Sequence, residues 1–231
     1  IMVNKSKWYA EYTNSAIVGH YLYAMKESKE RAFQFVRIDL RTGEELVLRA
    51  FSSTTNCLAY DEYTKKIFWS EHTPTMWDLR VDSRILYYDP EKDSFGYLTD
   101  RKHILQNPTP AEGFLVAIEY FHDGSYAVDY IDSTSGEILK TFPVPKGVQP
   151  VEAGYLNGYL CMFGVSEEGN SIYEYVDGWK QMFEPLHASG ENFMPHDDHF
   201  NFASDINGVT VFYSWYPEKN EVYLNTNLPY G

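Results

Sequence analysis

Apolar and polar residues alternate along most of this chain, and the alternation comes in paired runs. The first runs are GHYLYAM, KKIFWSE, EGFLVAIEY, NGYLCMFGV and NGVTVFYSW. Each is followed by a run closing on an acidic or amide residue: FVRID at Asp39, LYYD at Asp89, DYID at Asp132, YEYVD at Asp177 and VYLN at Asn225. A period of two places alternate side chains on opposite faces of a strand, so these runs predict β-strands. Helical periodicity is weak throughout. MKESKERAFQF can be misread as a helix, but FVRID returns to alternation.

The closing residues lie 50, 43, 45 and 48 positions apart, and the upstream runs keep step with them. Two markers sharing a period of about 46, with several strands in each, predict an all-β fold, a β-propeller of about five four-stranded repeats. The second repeat shows the unit. Strand a is CLAYD, b is KIFWSE, c is SRILYYD and d is SFGYLT. The turns after strand c carry Asp, Asn, Gly and Pro, which cap tight turns and tolerate positive φ, so Asp39, Asp89 and Asp132 are read as structural. One domain over residues 1–231 is expected, with repeats at roughly 8–52, 53–100, 101–146, 147–186 and 187–231. The last repeat is expected to stop before its strand d. The repeats would make either a closed five-blade ring or a five-repeat piece of a larger, for instance six-bladed, propeller. The opening Ile1-Met2, with no signal peptide, is read as a mature chain or a piece of a longer one.

Composition narrows the function classes. Hydrophobic residues make up 44% and aromatic residues 17%, which suits half-buried strands and excludes a disordered chain. The formal net charge of -14, with no basic cluster to offset it, argues against nucleic acid and anionic lipid as partners. No apolar run approaches the roughly 18 residues that a membrane-spanning helix needs. Cys57 and Cys161 each sit inside an apolar run and are read as buried free thiols.

LAYDEYTKKIFWSE followed by RILYYDPEKDSFGYLTD resembles the TolB-like (WD40-like) propeller repeat. Asp61 takes the Asp place of that repeat, Lys65-Lys66-Ile67-Phe68 its strand, and Asp89 and Leu98-Thr99 its second hairpin. FVRIDLRTGEELVL fits its second half. The Ser-Pro and turn Gly of the repeat are missing, replaced by Ala59-Tyr60 and Glu62-Tyr63-Thr64. FWSEHTPTMWDLRVDSRI is similar to a long-loop version in envelope proteins of Bacteroidetes-type bacteria. The resemblance implies a binding or scaffolding propeller domain of the bacterial periplasm or cell envelope. Its partner would be a protein or another domain of the same polypeptide. It brings over no catalytic residue.

In such a fold the b–c and d–a loops share one face, and the candidate residues fall there. The loop Glu71–Ser83 carries Trp77 and Arg80, residue types that anchor partners, with Glu71 and His72 at its root. The competing reading folds Trp77 back to plug the adjacent blade and pairs Arg80 with Asp78 or Asp82. In the third repeat Glu119, His122 and Asp123, and in the fourth Glu167 and Glu168, would add an acidic rim. Carboxylates at this mouth could serve a glycoside hydrolase, the enzymatic alternative. The run His196-Asp197-Asp198-His199 is the densest set of ligand-type side chains, and His196, Asp198 and His199 are its candidate ligands for a divalent metal. No other cofactor is expected: H-E-x-x-H, G-x-S-x-G and phosphate-loop motifs are absent.

Overall fold

A computed structural model describes residues 12–27, 33–51, 55–72, 83–182, 193–206 and 209–225, with backbone alone at 12–14, 27, 55–57, 72, 194, 203–206 and 209–210. Among the described residues the strands form five four-stranded antiparallel sheets, the blades of a β-propeller. The first is β1 (Tyr12–Val18), β2 (Tyr21–Glu27), β3 (Phe33–Asp39) and β4 (Glu45–Phe51). The second is β5 (Thr55–Asp61), β6 (Lys66–His72), β7 (Ser83–Asp89) and β8 (Ser94–Tyr97). The third is β9 (Ile104–Pro110), β10 (Phe114–Tyr120), β11 (Tyr126–Asp132) and β12 (Ile138–Pro143). The fourth is β13 (Gln149–Leu156), β14 (Tyr159–Ser166), β15 (Gly169–Tyr175) and β16 (Trp179–Gln181). The fifth is β17 (Met194–His196), β18 (His199–Ile206), β19 (Val209–Tyr216) and β20 (Glu221–Asn225). Each is a meander in chain order, so its a–b and c–d turns lie at one end and its b–c turn at the other. Among the described residues there are five sheets, not the six of a six-bladed ring.

The fifth sheet corrects the expectation that the last repeat lacks strand d. Val209–Tyr216 is its third strand and Glu221–Asn225 its fourth. Asn225 therefore ends strand d, one strand later than Asp39, Asp89 and Asp132 in their sheets. The equivalent of the Asp89 turn is Pro217-Glu218-Lys219-Asn220, which repeats Pro90-Glu91-Lys92-Asp93. Asp93 and Asn220 hold the same left-handed backbone, φ 49° and 52°. Asp and Asn tolerate that region better than other non-glycine residues.

The chain divides into two compact units, residues 1–108 with 133–136, and 109–132 with 137–231. In the first, the facing sides of the first two sheets bury Tyr23, Met25, Phe35, Ile67, Trp69, Leu86 and Tyr88. Phe35 stacks on Trp69 with ring centroids 5.2 Å apart. In the second unit β14 serves two cores. Leu160 and Met162 pack with Val116, Ile118 and Val128, while Cys161 and Phe163 pack with Phe200, Phe202 and Trp215. Strict alternation on a strand buried on both faces produces this division.

Local chemistry sets the turns. Asn157-Gly158 joins β13 to β14 with both residues at positive φ, 52° and 94°, as a two-residue hairpin turn requires. Asp61 ends β5 almost fully buried and accepts hydrogen bonds from the N–H groups of Tyr63 and Thr64, both at 3.1 Å, and from the Thr64 hydroxyl at 2.6 Å. Asp39 and Asp89 close β3 and β7 in the same way, accepting from the Arg41 and Glu91 N–H groups.

Candidate binding groove at one end of the third sheet

Two turns meet at the b–c end of the third sheet. In the first, between β10 and β11, the Gly124 N–H donates to the Phe121 carbonyl and the Phe121 N–H to the Ser125 carbonyl, both at 3.0 Å. Gly124 sits at φ 85°, where a side chain would strain the backbone. The second turn leads from β12 to β13. There the Val148 N–H donates to the Pro145 carbonyl at 3.1 Å, and Gly147 has φ 86°. This is the glycine position of a type II turn. Between the turns lies a groove of about 550 Å³, lined by Asp123–Tyr126 and Val144–Gln149. Its volume falls in the range of small-molecule and peptide sites, roughly 300–1,000 Å³.

The groove mixes apolar and polar chemistry. Val144, Pro145 and Val148 give it an apolar wall. The Tyr126 ring is set edge-on against Tyr120 at 5.0 Å. Asp123 accepts hydrogen bonds from the Ser125 hydroxyl at 2.6 Å and its N–H at 2.9 Å, and these bonds hold its carboxyl below the usual range. It is therefore anionic at neutral pH. His122 lies exposed in the same hairpin turn, next to the groove lining.

The other described candidate residues each sit within their own sheet. Glu119 points into the sheet's packing, 5% exposed, and is held by neighbours rather than presented at the rim. Glu71 is paired across the β6–β7 ladder with Arg84, whose Nε donates to it at 3.0 Å. The Arg84 guanidinium in turn lies 3.4 Å from the Tyr97 ring centroid. This triplet ties β6, β7 and β8 together. Glu167 and Glu168 occupy the b–c turn of the fourth sheet. His72 ends β6, but its side chain, like Trp77 and Arg80, lies outside the described residues.

The His196–His199 run does not belong to the b–c and d–a face. It is the tight turn between β17 and β18, at the opposite end of the fifth sheet from that sheet's b–c turn. His196 and His199 are ladder partners, and Asp197 turns the chain at φ 50°. Their rings are 5.3 Å apart. Each imidazole faces its own neighbour, His196 Nδ1 to Asp197 at 3.3 Å and His199 Nδ1 to Asp198 at 3.0 Å. The His199 contact holds the Asp198 carboxyl low. Among the described residues, no group of three or more His, Cys, Asp or Glu side chains is arranged to hold a metal ion. The groove residues Tyr126, Lys146 and Gln149 escaped sequence reading. A Pro-x-Gly turn after strand d was the available signal.

No family model matches the chain, and no curated protein matches it. Solved structures do. The tricorn protease aligns at a TM-score of 0.63 and 13% identity over 95% of this chain and 22% of its own. The β-propeller domain of the Trilobed protease from Pyrococcus furiosus aligns at 0.56 and 14%, over 94% of this chain and 71% of its own. TolB from Acinetobacter baumannii aligns at 0.62 and 14%, over 90% of this chain and 54% of its own. The chain thus spans only part of the larger proteins that it matches. At such identities the likeness is one of fold alone, and that fold is the β-propeller that the repeat implied.

Proposed function

We propose that this chain is a non-catalytic binding propeller that engages a protein partner, or another domain of a longer polypeptide, at the b–c and d–a end of its sheets. The observation that carries this reading is the groove between the Phe121–Ser125 and Pro145–Val148 turns, open at that end and part apolar. The carboxylates named for hydrolysis support binding better than catalysis. Asp123 is engaged by Ser125, and Glu119 is buried in its sheet. Trp77 and Arg80 would add partner contacts from the b–c connection of the second sheet. A place in a bacterial envelope rests on the resemblance of the repeat to TolB-like propellers.

Site-specific photo-crosslinking tests the reading. A benzophenone side chain is placed at Ser125 in the groove, or at exposed Ser135 in the c–d turn at the far end of the same sheet. The expected outcome is a discrete cross-linked species from position 125 in the cells that make the protein, and none from 135. Equal cross-linking from both, or from 135 alone, overturns the assignment of the binding end.

A further inference from the structure

Lys146 is an exception in this chain. Among the described residues the other lysines and arginines each have a partner. Lys26 lies 2.8 Å from Glu45, Lys92 lies 2.9 Å from Asp89, Lys140 lies over the Phe142 ring, and Lys180 faces Glu174 across the β15–β16 ladder. Lys146 has no carboxylate, hydrogen-bond or ring partner among the described residues, although the chain carries 33 acidic residues against 19 basic ones. It stands at the tip of the type II turn and lines the groove. Tyr126 and Gln149 line the same groove, and their side-chain polar groups likewise have no hydrogen-bond partner among the described residues.

We infer that the groove takes the carboxylate-terminated end of an extended peptide, with the Lys146 ammonium on the carboxylate. This inference rests on the binding reading above and names the chemistry of its occupant. The Tyr126 hydroxyl, donor and acceptor, and the Gln149 amide match the alternating N–H and C=O groups of a peptide backbone. Val144, Pro145 and Val148 supply an apolar wall for one side chain. Asp123, anionic on the opposite turn, selects against a second carboxylate and favours a neutral or basic residue upstream. A peptide terminus fits better than a polyanion, because a field of -14 repels extended negative charge while one ammonium matches one carboxylate.

The test uses the full 231-residue chain, labelled with ¹⁵N, and two probes. One is a pool of N-acetylated tetrapeptides with free C-terminal carboxylates; the other is the same pool with C-terminal amides. Amide shifts at residues 121–126 and 144–149 report occupancy. The expected result is saturable shifts with the free acids and about tenfold weaker binding of the amides. Lys146→Ala should bring the acids down to the amide level, and Lys146→Arg should restore the difference. Gln149→Trp, at an exposed position, should fill the groove and abolish both. Acids and amides binding equally, with Gln149→Trp blocking both, would keep the groove as a binding site and overturn the carboxylate inference. Shifts that survive Gln149→Trp, or no shifts with either pool, would also overturn it. The cross-linking result at Ser125 separately decides whether the binding reading stands.

Discussion

Asp61 shows how much one side chain can fix. Its carboxylate satisfies two turn N–H groups and the Thr64 hydroxyl from a nearly buried position. Asp61→Ala leaves those donors without an acceptor, so a loss of about 1–3 kcal/mol is expected in urea unfolding; Asp61→Asn should recover part of it. Asp39 sets a pH dependence. Hydrogen bonds from the Arg41 guanidinium and N–H hold its carboxyl down to about 2, from an ordinary 3.8. A carboxyl depressed by folding contributes fully above its ordinary value and stops contributing as pH falls through the folded one. The acid-unfolding curve should therefore flatten between about pH 4 and about pH 2 in Asp39→Asn. An unchanged slope across that window would show that the Arg41 contact is not maintained in solution. Asp39 was legible as a turn cap, because capping depends on a side chain and the two or three residues after it; Asp61 was legible only as the Asp of the resembling repeat. Lys146 was not legible, because being unpaired depends on every other charge in the chain.

At the scale of the strand, burial on both faces makes packing the main source of stability. Trp69 stacks on Phe35 and meets Phe51 and Phe95 edge-on. Trp69→Ala should cost about 3–5 kcal/mol, measured by denaturant midpoint. Cys161 lies fully buried in β14, and burial pushes its thiol well above the ordinary range. In a Cys57→Ser chain, Cys161 should react with a thiol reagent only at the rate of unfolding; fast labelling of the native chain would contradict the packing of β14. The five sheets were legible because alternation and turn residues are local signals. The fifth was misphased because the strand closing on Asn225 matched the pattern of a c strand closing on Asp. The duplicated Pro-Glu-Lys turn carried the right phase. His196–His199 looked like a ligand cluster because four polar residues in a row carry no periodicity. The structure makes them the two ladder partners and two turn residues of a hairpin.

For the molecule as a whole, charge is the property that composition sets most directly. A net charge of -14 creates self-repulsion that added salt screens over about 8–10 Å at physiological strength. Raising sodium chloride from about 0.02 M to about 0.15 M should therefore raise Tm, while acid binding in the groove, which depends on the single Lys146 charge, should weaken. A fall in Tm would mean that the ion pairs, such as Lys26–Glu45 and Arg84–Glu71, outweigh the repulsion.

The double service of β14 has a consequence for how such a chain can change. Leu160 and Met162 answer to the third sheet, and Cys161 and Phe163 to the fifth. Neighbouring letters of the sequence therefore answer to separate packing constraints, each set by residues far along the chain rather than by the letter beside it. A repeat of this kind can be copied, respaced or given a new neighbour by rewriting every second position. That freedom fits the same fold being built from sequences only 13–14% identical.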